Sequence, residues 1–162
     1  EMIKLKTSVL LAASFQIGAL AGNSSMEESE LLYEFGLNLG LAFQLQDDYL
    51  DTFGDVETFG KKIGTDILNN KKTFLLINAL NLAEEKQKTI LNQYIEDVSI
   101  NPDEKIKAVV DIFKSCQTDK ITSEKISWYF EKAMKKLQEI NLPEQKKQVI
   151  LELVNSLKSR EF

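Results

Sequence analysis

Apolar residues recur at three- and four-residue steps through most of the chain, and no stretch alternates convincingly with the two-residue period of a strand. The pattern predicts an all-α fold of about seven helices. Leu5–Ala21 reads as a helix that is apolar almost all round, and Glu27–Phe53 as a second, long one. The second helix is opened by the cap region Ser24-Ser25-Met26-Glu27-Glu28. Phe53–Asn70 reads as a loop holding Gly54, Gly60 and Gly64, followed by helices over Lys71–Leu82 and Glu84–Ile95. Asn101-Pro102-Asp103-Glu104 combines a cap, a first-turn proline and an acid three residues after the cap, so a helix is expected over Pro102–Cys116. Asp119–Gln138 and Pro143–Lys158 complete the set.

The last two helices read as packing elements, because Ile126, Phe130, Met134 and Leu137 share one face, as do Ile150, Leu153, Val154 and Leu157. Lys132, Lys135 and Lys136 are then a solvated face, and Trp128 and Tyr129 are core or interface anchors. Gly18/Gly22 and Gly36/Gly40 are each four apart on a helix, a spacing that allows close backbone approach.

At 162 residues the chain is long enough for one domain, residues 1–162, with a real core. Its longest apolar stretch, Val9–Ala21, is too short to span a bilayer, for which about 20 residues are needed. Histidine is absent, which excludes imidazole shuttles, Ser-His and Cys-His triads and His-ligated zinc. Cys116 is the one cysteine, so no intrachain disulfide is possible, and a cytoplasmic location is the expectation. Charge is uneven: residues 1–60 carry ten acids against Lys4 and Lys6, net −8, while residues 61–162 carry 18 basic groups against 15 acids, net +3. That is no polybasic face for nucleic acid.

The chemistry concentrates at the end of the second helix. At 100° per residue Gln44, Asp47, Asp48 and Asp51 form one polar stripe on an otherwise greasy helix. Carboxylates so placed repel one another and lose hydration, so a cation must compensate. Mg²⁺ suits one or two carboxylates with retained waters and phosphate oxygens. The next segment supplies Lys61 or Lys62, Asp66, and Lys71 or Lys72, and lysines beside such a cluster neutralise phosphate as mobile point charges. Lys71 and Lys72 also read as first-turn helix residues, although that end disfavours cations.

Four elements, in this order, carry a resemblance: Lys6-Thr7; Gly40-Leu41-Ala42-Phe43-Gln44-Leu45-Gln46-Asp47-Asp48-Tyr49-Leu50-Asp51; Gly60-Lys61-Lys62-Ile63-Gly64-Thr65-Asp66; and Asn70-Lys71-Lys72-Thr73. The chain resembles the C-terminal half of a trans-isoprenyl diphosphate synthase of the polyprenyl synthetase family. The resemblance implies the C-terminal part of an isoprenoid-synthase-type helical bundle and a homo-oligomer. It implies condensation of an allylic diphosphate with isopentenyl diphosphate through Mg²⁺-assisted ionisation. Asp47, Asp48 and Asp51 would hold Mg²⁺, with Asp66 in the same shell. Lys6, Lys62 and Lys71 would serve the diphosphate, with Lys61 the alternative to Lys62. Thr7 and Gln44 would stabilise the allylic cation. The family's first aspartate-rich motif lies upstream of the part matched, and this chain lacks it. The chain is therefore expected to be a fragment, inactive alone. The alternative expectation is a non-catalytic binding subunit that modulates a synthase complex.

Overall fold

A computed structural model describes residues 1–55, 63–97 and 99–159. Every regular element among them is helical: a π-helical turn over Lys4–Ser8, then α1 (Val9–Ala21), α2 (Met26–Phe53), α3 (Thr65–Leu68), α4 (Phe74–Leu82), α5 (Glu85–Glu96), α6 (Pro102–Ser115), α7 (Thr118–Glu139) and α8 (Glu144–Lys158). The element beyond those expected is α3, a single turn inside the predicted loop. Four residues are too few to show a period.

The caps of α2 and α6 are those the sequence predicts, and that of α4 is not. Ser25 and Glu28 close a reciprocal box at the start of α2: the Glu28 N–H donates to Ser25 Oγ, and the Ser25 N–H to Glu28 Oε2, both at 3.2 Å. Asn101 Oδ1 accepts the N–H groups of Asp103 and Glu104 ahead of α6. Thr73 caps α4 by accepting the Leu76 N–H, so Lys71 and Lys72 precede that helix instead of forming its first turn. The cap removes the unfavourable meeting of cation and helix N-terminus.

Two compact units divide the chain. The first takes Glu1–Leu45 and, of the described residues, 125–159. Its buried side chains include Ala12, Leu32, Phe35, Leu39, Ile126, Phe130, Leu137 and Val154, and Phe15 meets Phe35 edge to face at 5.0 Å. α1 and α2 approach closely because Gly36 and Gly40 lack side chains. A Cβ on Gly36 would lie 2.8 Å from Ala12 Cα, and one on Gly40 would lie 2.7 Å from Ser8 Cα. Gly18 plays no such part: a Cβ there would meet nothing within 4 Å. Lys136 is not simply solvated, since it bridges Glu34 at 2.8 Å and Glu139 at 3.1 Å. Trp128 is not core. It is 40% exposed, with Lys125 and Lys132 Nζ at 3.7 and 4.0 Å from its ring centroid, and the two ammonium groups cover the indole that the core does not. Leu153 likewise lies exposed beside buried Val154. On α1, Leu10, Ile17 and Leu20 are exposed, whereas on α2 the large exposed apolar side chain is Met26 at its start.

The second unit runs over Gln46–Glu124. Its core joins Ile67, Leu75, Leu76, Ala79, Leu91, Val109, Ile112 and Phe113, drawn from α3, α4, α5 and α6. Among the described residues, no helix is long and apolar enough to cross a membrane.

Candidate functional site

In the first unit the π-helical turn places Lys6 and Thr7. The Val9 N–H bonds back to Lys4 O, five residues earlier, so one turn carries an extra residue just before α1. The same turn lies against Gly40, where any side chain would collide with Ser8. One helical turn beyond Gly40, Gln44 accepts the Thr7 hydroxyl: Thr7 Oγ1 donates to Gln44 Oε1 at 2.7 Å. Both residues are half-buried, and Lys6 is exposed. The sequence names all three residues but expects an uninterrupted helix there.

In the second unit the last two turns of α2 carry Asp47, Asp48 and Asp51. Asp48 is 8% exposed, and Asp47 and Asp51 are half-buried. The chain returns to this helix end at Gly64, whose N–H donates to Asp51 O at 2.6 Å. Gly64 adopts φ 82°, and a Cβ there would lie 2.7 Å from Ile106 Cδ1, so conformation and space both require glycine. Asp66, buried in α3, follows two residues later, and its N–H donates to Asp51 Oδ2 at 2.8 Å. Its own carboxylate takes the Lys71 ammonium, while the Lys71 N–H donates to Asp66 O at 2.9 Å. Asp51, Asp66 and Lys71 are thereby linked into one constellation. Lys61 and Lys62, the two candidates for a further phosphate contact, lie outside the described residues.

Electrostatics follow from that linkage. Burial pushes the Asp51 carboxyl above the usual carboxylate range. The Asp66 N–H opposes this, as does the Lys71 charge, while the charges of Asp66 and Asp47 add to it. The bond to Asp66 holds the Lys71 ammonium above the usual lysine range against the effect of burial, and the charges of Asp66, Asp51 and Asp48 contribute. Asp47, Asp48, Asp51 and Asp66 thus lie in one unit, with the Lys71 ammonium paired to Asp66. Carboxylate oxygens of this kind fit a hard divalent cation. Among the described residues no three carboxylates gather as a ready cage. Mg²⁺, which keeps several waters and shares its shell with phosphates, needs none.

Lys105 escaped a reading by motif, and Asn70 entered only as the first residue of its motif, with no role given to it. Lys105 sits in phase with Val109, Ile112 and Phe113 on α6, all buried, and a lysine in register with an apolar stripe was the available signal.

Known proteins resemble the chain in sequence and in fold. Over 114 residues the chain is 41% identical to the short chain isoprenyl diphosphate synthase of Methanocaldococcus jannaschii, covering 70% of this chain and 35% of that protein. A crystal structure of geranylgeranyl pyrophosphate synthase superposes with a TM-score of 0.88 at 38% identity, over 99% of this chain and 50% of that one. The geranylgeranyl pyrophosphate synthase of Corynebacterium glutamicum, solved with isoprenyl diphosphate and magnesium, superposes with a TM-score of 0.86 at 25% identity, over 96% of this chain and 44% of that one. The chain therefore spans about a third of the curated relative above and about half of the solved chains. Residues 1–113 match the family described as Polyprenyl synthetase, and those residues include Lys6, Thr7, Gln44, the α2 aspartates, Asp66 and Lys71. With the family match covering well over half of its length, this chain belongs to the polyprenyl synthetase family.

Proposed function

We propose that this chain supplies the diphosphate-ionising part of a prenyl transferase that joins an allylic diphosphate to isopentenyl diphosphate. One observation carries the reading: Asp51 and Lys71 both bond to Asp66, which places carboxylates and an ammonium group within one unit. Such a cluster offers oxygen ligands for Mg²⁺ and a cation for phosphate oxygens together. The Corynebacterium relative, solved with isoprenyl diphosphate and magnesium, supports the same ligands for this chain.

In this reading Asp47, Asp48, Asp51 and Asp66 hold Mg²⁺ directly or through waters. Bound there, Mg²⁺ acts as a Lewis acid on the leaving diphosphate. Lys71 is half-exposed, so its ammonium can turn from Asp66 to a phosphate oxygen. Lys6 serves the diphosphate as a second point charge, and Lys62 remains the third candidate. Thr7 spends its hydroxyl proton on Gln44, which leaves its oxygen lone pairs to face developing positive charge. Ionisation breaks the allylic carbon–oxygen bond, the isopentenyl double bond supplies the electron pair for the new carbon–carbon bond, and a proton leaves.

The test is an equilibrium binding and turnover measurement on this chain with both diphosphates. We expect Mg²⁺-dependent binding of the allylic diphosphate without product. Product formed by the chain alone would contradict its inactivity, and no binding with Mg²⁺ would contradict the reading as a whole.

A further inference from the structure

Lys105 is a buried cation whose hydrogen-bond partner is neutral. Its side chain leaves the first turn of α6 and is 7% exposed; its Nζ donates to Asn70 Oδ1 at 2.6 Å, and no carboxylate pairs with it among the described residues. Burial of an ammonium group is costly unless it is paired with charge, and here it holds the lysine below its usual range. At this position of the apolar stripe a methionine would fill the space at lower cost. Stability alone gives no reason for lysine.

Its partner sits at the hinge of the Asp66–Lys71 clasp. Asn70 adopts left-handed backbone, φ 52°, immediately before Lys71. Both ends of its amide are engaged: Oδ1 accepts from Lys105, and Nδ2 donates to Ile95 O at 3.0 Å. Its N–H donates to Ile67 O at 3.1 Å, closing α3. Lys71 then turns back to Asp66 through both its N–H and its ammonium group. Asp66, Asn70, Lys71, Thr73 and Lys105 also line one cavity of about 20 Å³ in this unit, room for a single water, so the clasp borders a void and lacks full packing support there. A segment bordering a void is held by its polar bonds, and of the two made by the Asn70 amide the one from Lys105 is charge-assisted.

We propose that Lys105 is a positioning residue: through Asn70 it fixes the left-handed turn that aims Lys71, and with it Asp66, at the diphosphate. The inference rests on the functional reading above, but its structural half can be measured without any ligand.

The experiment uses Lys105→Met and Asn70→Gly, alone and combined. Glycine keeps the left-handed turn while removing the amide. Two quantities are read: hydrogen exchange at the Lys71 amide without ligand, and affinity for inorganic pyrophosphate with Mg²⁺. Lys105→Met is expected to leave the chain folded, to speed exchange at Lys71, and to weaken pyrophosphate binding about tenfold. In the Asn70→Gly background the same change should add nothing further, because the lysine acts through the amide. If Lys105→Met alone unfolds, the double variant is compared with Asn70→Gly, and if Asn70→Gly alone unfolds, Lys105→Met is compared with the unsubstituted chain, so that each comparison changes only position 105. Unchanged exchange at Lys71, or equal effects of Lys105→Met with and without Asn70, would overturn the proposal. Failure of the unsubstituted chain to bind pyrophosphate, with exchange at Lys71 responding as expected, would count against the functional reading and leave the positioning role standing.

Discussion

Asp51 accepts the backbone N–H of Asp66 at 2.8 Å, a bond that ties the end of α2 to a turn fifteen residues further on. The same carboxyl is held above the usual carboxylate range, chiefly by burial and then by its charged neighbours. A carboxyl raised in the fold contributes stability below its ordinary value of 3.8 and loses it as pH rises through the raised one. At neutral pH the ionised Asp51 therefore costs the metal-free chain stability. Asp51→Asn keeps an acceptor oxygen for Asp66 and removes the charge. It should raise the melting temperature at neutral pH in the absence of divalent cations. The gain should vanish near roughly pH 3.5, where the native carboxyl is itself protonated. Thermal unfolding of both proteins at the two pH values checks this, and a lower melting temperature for Asp51→Asn at neutral pH would refute it.

Glycine substitutions on α1 and α2 should act in opposite directions. Gly40→Ala sets a methyl 2.7 Å from Ser8 Cα, where backbone must move. A cost of about 1–3 kcal/mol is expected, with loss of the Thr7–Gln44 bond one turn away. Gly18→Ala meets open space on a helix, and should stabilise by about 0.5–1 kcal/mol. Urea denaturation of the two variants compares the signs directly.

Thr7→Val removes the hydroxyl that donates to Gln44 at 2.7 Å while keeping the shape of the side chain. The expected loss is about 1 kcal/mol, and Thr7→Ser should recover most of it. Equal stability of Thr7→Val and the unsubstituted chain would mean that the bond contributes nothing net.

Long helices were legible because burial imposes a period on them. Ile126, Phe130 and Leu137 sit where their spacing places them, and the Ser25–Glu28 box marks the start of α2 in four letters. The polar stripe on α2 was legible for the same reason, since Asp48 stands out only against apolar neighbours. Features that depend on a second segment were not. A π-helical turn at Lys4–Ser8 has no signature of its own, and the close approach read from Gly36 and Gly40 is borne out but named no partner until Ser8 lay against Gly40. Asp66 entered through its motif, but its bond to Asp51 is a tertiary contact. Lys105 belongs to no motif, and only its phase with Val109 and Phe113 places it inward. Trp128 departs from the core half of its reading as core or interface anchor: two flanking lysines let a large ring stay outside.

The central claim is that the carboxylates ending α2, together with Asp66, hold a divalent cation against a diphosphate group. Mn²⁺ in place of Mg²⁺ makes this visible, because it broadens the amide signals of nearby residues in ¹⁵N spectra. With inorganic pyrophosphate present, broadening should centre on Asp47, Asp48, Asp51 and Asp66 and should disappear in Asp48→Asn/Asp51→Asn. Broadening centred on the exposed acids Glu27, Glu30 and Glu34, or unchanged in the double variant, would contradict the account.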